Sequence, residues 1–197
     1  MKRVVLFLGF VLLFASAVVA EERANLLQQF QQNLAELGRY RVEFRVAVEG
    51  YNASGEYIVD GRDFYMTSDS VALYVAGGVK HEVNMRKREV TVDTAANLGS
   101  DLISNPVDAF ALLARDFDVE EVAGNRKIVE LKERGRDSGD RITVEADSDG
   151  RLPKRILYRS GGSTLSIELV SATTYAKPLP RYDGALYAGY EVVDFRE

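Results

Sequence analysis

The sequence predicts an α+β fold, mainly antiparallel β, in which a curved sheet wraps around helices. Three observations predict it. Residues 40–195 read as a run of short strands bounded by turns. One apolar helical stretch, Asn105-Pro106-Val107-Asp108-Ala109-Phe110-Ala111-Leu112-Leu113-Ala114, interrupts that run within residues 94–117. Several strands carry apolar residues on both faces, with Val71, Leu73 and Val75 pointing one way and Ala72 and Tyr74 the other. A sheet in free solution would not expose a second apolar face, so one face is expected to be buried on helices and the other partly covered.

The chain opens on an export signal. Met1-Lys2-Arg3 is basic, the run from Val4 to Phe14 is apolar, and Ala15-Ser16-Ala17-Val18-Val19-Ala20 ends in small residues before Glu21-Glu22. The apolar run is shorter than the roughly 20 residues that cross a bilayer, so cleavage after Ala20 or Ala17 is expected in place of anchoring. Residues 1–20 are then a cleaved signal peptide and residues 21–197 one domain, since no Pro-rich or Gly/Ser-rich linker divides them.

Residues 24–37 form the first predicted helix. Leu27, Phe30, Leu34 and Leu37 fall on one face with Leu26 beside them, and Gly38 is a natural stop. Such a stripe packs against something larger. In Tyr40–Val48 every second residue is apolar, which places Tyr40, Val42, Phe44, Val46 and Val48 on one face of a strand. Gly50 to Gly55 reads as a turn, Glu56 to Val59 as a strand, and Asp60-Gly61 as a hairpin signal. Phe64 to Thr67, Val71 to Val75 and Val79 to Met85 continue the meander, the last two joined by Gly77-Gly78. Arg86-Lys87-Arg88 is a charged turn before Glu89 to Val92. After the insert come strands at Asp118 to Val122, Lys127 to Leu131, Arg141 to Ala146, Lys154 to Arg159 and Thr164 to Val170. Gly124-Asn125, Gly135 to Gly139, Asp149-Gly150 and Gly161-Gly162 supply their turns. The tail from Tyr175 to Phe195 contains Pro178 and Pro180 and is expected to run extended along a sheet edge.

Composition excludes several classes of function. The chain has no cysteine, so there is no disulfide framework, thiolate nucleophile or cysteine-linked lipid anchor. Its formal charge of -5 disfavours nucleic acid and prolonged residence on anionic lipid. A soluble, monomeric protein of a bacterial periplasm fits these bounds, docking on membranes only through apolar surface or a protein partner.

Motifs for catalysis or metal binding fail on inspection. His81 is the only histidine. His81-Glu82-Val83-Asn84-Met85 has Met85 where a zinc-protease helix needs its second histidine, and the segment alternates like a strand. His81 shares a strand face with Val79, Val83 and Met85 and reads as a packed or rim residue. Glu145, Asp147, Asp149 and Gly150 imitate the opening of a calcium loop, but Ile156 stands at the twelfth position in place of glutamate, leaving an acidic β-turn. Asn52-Ala53-Ser54 is a glycosylation sequon that, in a bacterial setting, is simply a turn. No glycine loop for phosphate, no nucleophile triad and no distinctive carboxylate pair stands out, so no metal, no cofactor and no enzymatic activity is expected.

What remains is apolar surface. Phe44, Val46, Leu73, Val75, Ile142, Val144, Leu165 and Ile167 are candidates for the inner face of the sheet, and Phe110, Leu112, Leu113 and Phe117 for the helical insert. For any one of them taken singly, ordinary core is the commoner reading. Arg62, directly after Asp60-Gly61, is more often a solvated turn residue than a cavity-mouth or lid contact.

The order of these parts resembles the LolA family of periplasmic outer-membrane lipoprotein carriers. The resemblance covers most of residues 24–170. It lies in the amphipathic helix, Phe44 in the first strand, Gly55-Glu56-Tyr57-Ile58-Val59 leading to Arg62-Asp63-Phe64, and Gly77-Gly78-Val79-Lys80-His81-Glu82-Val83-Asn84. It continues through the Asn105-Pro106 helix ending in Leu112-Leu113-Ala114-Arg115, Asp147 to Leu152, and the hairpin from Tyr158 to Val170. Order and spacing carry it, since none of these motifs is specific alone. Three features depart: Asp63 follows Arg62 where the family usually has proline, His81 replaces a bulky aromatic, and the acidic segment from Tyr187 to Arg196 differs. These mark a divergent branch.

The resemblance implies an unclosed, half β-barrel wrapped around the N-terminal helix and a helical lid, with an apolar cavity for acyl chains. It implies lipoprotein loading from an inner-membrane ABC-type releasing complex and delivery to an outer-membrane acceptor, with no ATP used by the carrier. Phe110, Leu112 and Leu113 are then expected to pack into the sheet when the site is empty and to move aside for lipid, with Arg62 as a lid contact. The alternative is a non-enzymatic envelope lipid-binding or scaffold protein of the same fold with a different cargo.

Overall fold

The computed structural model describes residues 26–98, 104–120, 127–135 and 141–196, and the expected signal peptide lies outside them. The strands in chain order are β1 (Tyr40–Val48), β2 (Tyr51–Asp60), β3 (Asp63–Ser68), β4 (Val71–Ala76), β5 (Val79–Asn84) and β6 (Glu89–Thr94). Then follow β7 (Phe117–Glu120), β8 (Ile128–Glu133), β9 (Arg141–Ala146), β10 (Pro153–Ser160), β11 (Ser163–Thr174) and β12 (Glu191–Asp194). Among the described residues two α-helices accompany them, α1 over residues 26–35 and α2 over Ala109–Asp116.

All twelve strands belong to one sheet, in the order β12-β6-β5-β4-β3-β2-β1-β11-β10-β9-β8-β7. The end strands β12 and β7 do not meet, so the sheet stays unclosed. Every pairing is antiparallel except β12 on β6, which is parallel. This is the open half-barrel around helices that the sequence and the resemblance predict.

Side-chain alternation builds the inner face in rows. Cross-strand registers align Tyr40, Val59, Phe64 and Val75 in one row, and Val42, Tyr57, Met66 and Leu73 in the next. Phe44 stands opposite Gly55 in the third. These residues join Val129, Leu131, Ile142, Val144, Ile156, Ile167 and Leu169 from the other half of the sheet in one buried cluster. Helices α1 and α2 contribute Leu27, Phe30, Leu34, Ala109, Phe110 and Leu113 to it. Beyond β4 burial changes sides. Ala72, Tyr74, Val83, Val90 and Val92 form a second buried cluster on the outer face, so β4 is buried on both faces as its sequence requires.

Several expected boundaries move. Residues 51–55, expected as a turn with the sequon Asn52-Ala53-Ser54 inside it, belong to β2, because the β1–β2 turn closes at Glu49-Gly50 and registers Tyr51 against Val48. Gly55 is required within that strand. An added Cβ would lie 2.6 Å from Phe44 Cζ and against the Thr67 carbonyl oxygen, so the Phe44 ring occupies the space a side chain would fill. The insert is helical over only a short part of residues 94–117. Residues Ala95–Asn97 make a single 3-10 turn and residues 106–108 a turn leading into α2. Phe117 is not on the helix: it adopts extended backbone (φ −121, ψ 147) and begins β7. Strand β11 continues to Thr174, past the expected end at Val170, because the β1–β11 register slips between Glu43 and Phe44. Leu169 pairs with Phe44, Ser171 with Glu43 and Ala172 with Val42, so period-two alternation breaks at Val170 while the strand goes on. The expected turn at Gly124-Asn125 and most of the one at Gly135 to Gly139 lie outside the described residues.

The tail does follow an edge, as β12 on β6, but it also crosses the outer face. Tyr182, Tyr187 and Tyr190 pack there against the second cluster, the first two with their rings edge-on to Tyr74.

Candidate functional site

The candidate site is the inner face where α2 lies on it. Asn105 O accepts from Ala109 N at 3.1 Å and Asn105 Oδ1 from Asp108 N at 3.3 Å, which sets the start of the helix. Ala109, Phe110 and Leu113 share one helical face and are buried. The Phe110 ring meets Phe30 of α1 edge-on, with centroids 5.8 Å apart at 62°.

Polar fastening of α2 is sparse. Gln31 of α1 donates from Nε2 to Val107 O at 2.7 Å and accepts from Ala111 N at 2.9 Å. Arg62, in the β2–β3 turn, pairs with Asp108 at 3.2 Å while its side chain stays 85% exposed. An exposed pair of this kind contributes about 0–1 kcal/mol. The helix is therefore held mainly by burial of three side chains.

Two clefts flank α2. One, of about 320 Å³, lies between α1, α2 and the β2–β3 turn, with Tyr40, Val59, Leu34, Val107 and Phe110 among its walls. The other, of about 720 Å³, lies on the far side of α2 and is lined by Phe64, Val75, Ala95, Leu98, Val107 and Leu112. Arg62, Asp63, Asp108 and Arg115 give this second cleft a charged rim. Tyr40 and Val59 floor one cleft, and Phe64 and Val75 the other, so both open onto the same first row of the inner face. Volumes of this size suit small apolar ligands.

The structure gathers Phe44, Leu73, Val75, Phe110, Leu113, Ile142, Val144 and Ile167 into the buried cluster, with Val46 and Phe117 packed against it. Leu112 does not join them. It points off the buried face of α2, is half-buried and lines the larger cleft, in contrast to the expected packing into the sheet. Leu165 is likewise half-buried outside the cluster, near the Gly161-Gly162 turn and opposite Val48 and Tyr158. The deepest packing against the sheet comes from Leu27, Phe30 and Leu34 of α1, which are at most 2% exposed.

Two residues at the site carried no sequence signal. Gln31 looks like any other polar position of α1 until its amide meets α2. Tyr57 sits fully buried in the second row, beside Tyr40 (ring centroids 6.5 Å apart) and Phe44 (6.0 Å). Its hydroxyl has no hydrogen-bond partner in the structure, and burial drives its pKa well above that of an ordinary tyrosine. An unpaired buried hydroxyl costs about 1–3 kcal/mol.

Away from the site, His81 stacks on Tyr182 at 4.1 Å and 10°, a packed residue on the outer face. The acidic turn is a hydrogen-bonded loop that Asn33 of α1 joins by donating from Nδ2 to Arg151 O at 2.7 Å. Asp147 accepts from Arg151 N at 2.8 Å, and Arg155 clasps Glu145 at 2.7 and 2.9 Å. Among the described residues no three His, Asp or Glu side chains gather as metal ligands, and no helix is long and apolar enough to cross a membrane.

No protein-family model matches the chain, and neither does any curated protein. Among solved structures, it is similar to an uncharacterized conserved protein from Thermus thermophilus, with a TM-score of 0.53 at 9% identity over 86% of this chain and 97% of that one. The two share a fold. Weaker similarity extends to a LolA superfamily protein from Nitrosomonas europaea (TM-score 0.43, 10% identity, 79% of this chain and 94% of that one). It also extends to the MucA/MucB complex of Pseudomonas aeruginosa (TM-score 0.43, 19% identity, 85% of this chain), where the match spans 61% of the solved chain.

Proposed function

We propose that the chain is a periplasmic carrier, exported by its signal peptide, that binds lipoprotein acyl chains against the inner face of the sheet. It shuttles them from an inner-membrane ABC-type releasing complex to an outer-membrane acceptor and performs no catalysis. The observation that carries this reading is the seating of α2: a short helix on an apolar concave face, held by three buried side chains, with a cleft on either side.

The energetics fit a reversible carrier. An acyl chain gains about 0.8 kcal/mol per buried methylene, or ~12 kcal/mol gross for sixteen carbons. Several chains held at that strength would never be released. A helix that occupies the same surface when the site is empty offsets part of this gain, because its own burial must be given up on loading. Tilting α2 away would join the two clefts over the first inner row.

Native mass spectrometry of the protein taken from its own envelope tests the reading. Bound acyl species are expected, and their loss in a folded Phe110→Glu variant, whose carboxylate cannot be buried against Phe30, ties them to this face. A folded Phe110→Glu protein that retains wild-type lipid affinity would sink it. The departures at Asp63 and His81 favour a second reading in which the cargo is another envelope lipid. Triacylated lipoprotein in the spectrum supports the first reading and free lipid the second.

A further inference from the structure

Among the described residues of the inner face, Tyr57 is a fully buried side chain whose chemistry the packing does not use. Around it the sheet and helices place phenylalanines, at 30, 44, 64 and 110, all buried. A phenylalanine at 57 would fill the same volume and leave nothing unpaired. The hydroxyl instead lies buried with no hydrogen-bond partner in the structure. Its place is specific. Tyr57 stands in the row directly behind Tyr40, Val59, Phe64 and Val75, the row onto which both clefts open. Tyr40, which lines the smaller cleft, is its edge-on ring neighbour.

We propose that Tyr57 is a polar anchor for the carbonyl of an acyl ester or amide. This rests on the carrier reading and deepens it. An acyl chain entering over the first row and displacing α2 brings its carboxyl-derived carbon within reach of the second. There the Tyr57 O–H donates to the carbonyl oxygen, and a donor left unpaired in the empty protein becomes paired in the loaded one. The site then discriminates between an acyl group and a plain hydrocarbon of the same length, because a buried donor is satisfied only by the first.

The test compares two probes of matched length, methyl laurate and dodecyl methyl ether, which keeps the ester's chain oxygen but lacks the carbonyl oxygen that Tyr57 is to grip, titrated calorimetrically into the wild-type protein and into Tyr57→Phe. In the wild type the ester is expected to bind more tightly than the ether. In Tyr57→Phe the ester is expected to weaken about 3- to 10-fold, the size of one neutral hydrogen bond. The ether is expected to stay within about two-fold, and the thermal midpoint to be unchanged or higher because no hydroxyl is left unpaired. Equal effects on ester and ether, or none on either, would overturn the anchor and leave the carrier reading standing. Failure of the wild type to bind either probe overturns the carrier reading and the anchor with it.

Discussion

The two faces of the sheet are both apolar and both covered, but the covers are fastened differently. The concave face carries phenylalanine and aliphatic residues with the buried tyrosines Tyr40 and Tyr57 among them, and is covered by α1 and α2. Few polar bonds reach α2: Gln31 bridges it to α1, the exposed Arg62 pairs with Asp108, and Arg134 N donates to Asp116 O at its last residue. The convex face beyond β4 carries tyrosine and valine and is covered by residues 175–196. That cover is fastened by backbone pairing of β12 on β6, a 2.7 Å bond between the Tyr74 and Tyr187 hydroxyls, Arg181 on Asp63, and Arg39 on the Lys177 carbonyl. Burial is non-directional, so a cover held by burial can be exchanged for any apolar group of similar size. A cover held by directional bonds cannot be exchanged without breaking them. The concave cover suits a ligand-exchanging lid and the convex one a permanent strap.

The largest expected effect separates depth of burial from fastening. Phe30→Ala removes a fully buried ring at the junction of α1, α2 and the sheet, and is expected to cost about 3–5 kcal/mol. Tyr182→Ala removes a half-buried ring stacked between His81 and Tyr187 and is expected to cost about 1–2 kcal/mol. Urea denaturation of both variants checks the order. A larger loss for Tyr182→Ala would mean that the strap, and not the helices, dominates stability.

A smaller effect sharpens the account of the concave face itself. Gly55→Ala places a methyl against the Phe44 ring and the Thr67 carbonyl, and the carbonyl is backbone that cannot step aside. A loss of about 1–3 kcal/mol is expected from this overpacking. Combining it with Phe44→Leu, which withdraws the ring, is expected to recover part of that loss in a double-mutant cycle read by urea midpoints. Strict additivity would show that the backbone contact alone sets the cost.

Period and turn chemistry made the sheet legible in the sequence. Tyr40–Val48 alternates cleanly, and Asp60-Gly61 and Gly77-Gly78 mark their hairpins. The two-faced burial of β4 was readable because six apolar residues in a row leave no polar face to turn to water. Legibility failed where tertiary contacts override local signals. Gly50 to Gly55 looks like a turn because Gly, Asn and Ser are turn residues, yet Gly55 is glycine to make room for Phe44, a cross-strand neighbour that no local pattern reveals. The slip opposite Glu43 hides the end of β11 in the same way, since a bulge inverts the alternation on which the reading depends. In the candidate site, the apolar face of α2 was legible at Phe110 and Leu113, whereas Leu112 differs from Leu113 only by its angle on the helix. Gln31 and Tyr57 were beyond reach, because a polar group's partner, or the lack of one, is a property of the fold.

The smallest effect concerns the strap and its dependence on pH. His81 faces the Tyr182 ring, with Tyr74 beside it across the strand pair and Arg196 and Asp194 of the tail nearby. Desolvation, aided by Arg196 and opposed by Asp194, holds its pKa below the ordinary value of 6.5. The neutral imidazole is thus the form that the docked strap favours. In the unfolded chain His81 takes up its proton at the ordinary value, so between that value and the lower folded one the unfolded state binds more protons. The stabilisation is fully present above pH 6.5 and is lost as the pH falls through 6.5 toward the folded value. Wild type and His81→Gln, compared by urea midpoint between about pH 7.5 and pH 5, are expected to differ by a gap that narrows on acidification. Hydrogen exchange at Glu191 and Phe195, whose amides bond to Arg88 O and Val92 O, is expected to quicken over the same interval in the wild type alone. The amides of α2 have no histidine nearby to titrate and serve as the internal reference. If they loosen with the strap, the two covers act as one cooperative unit, and the separation between an exchangeable lid and a permanent strap fails.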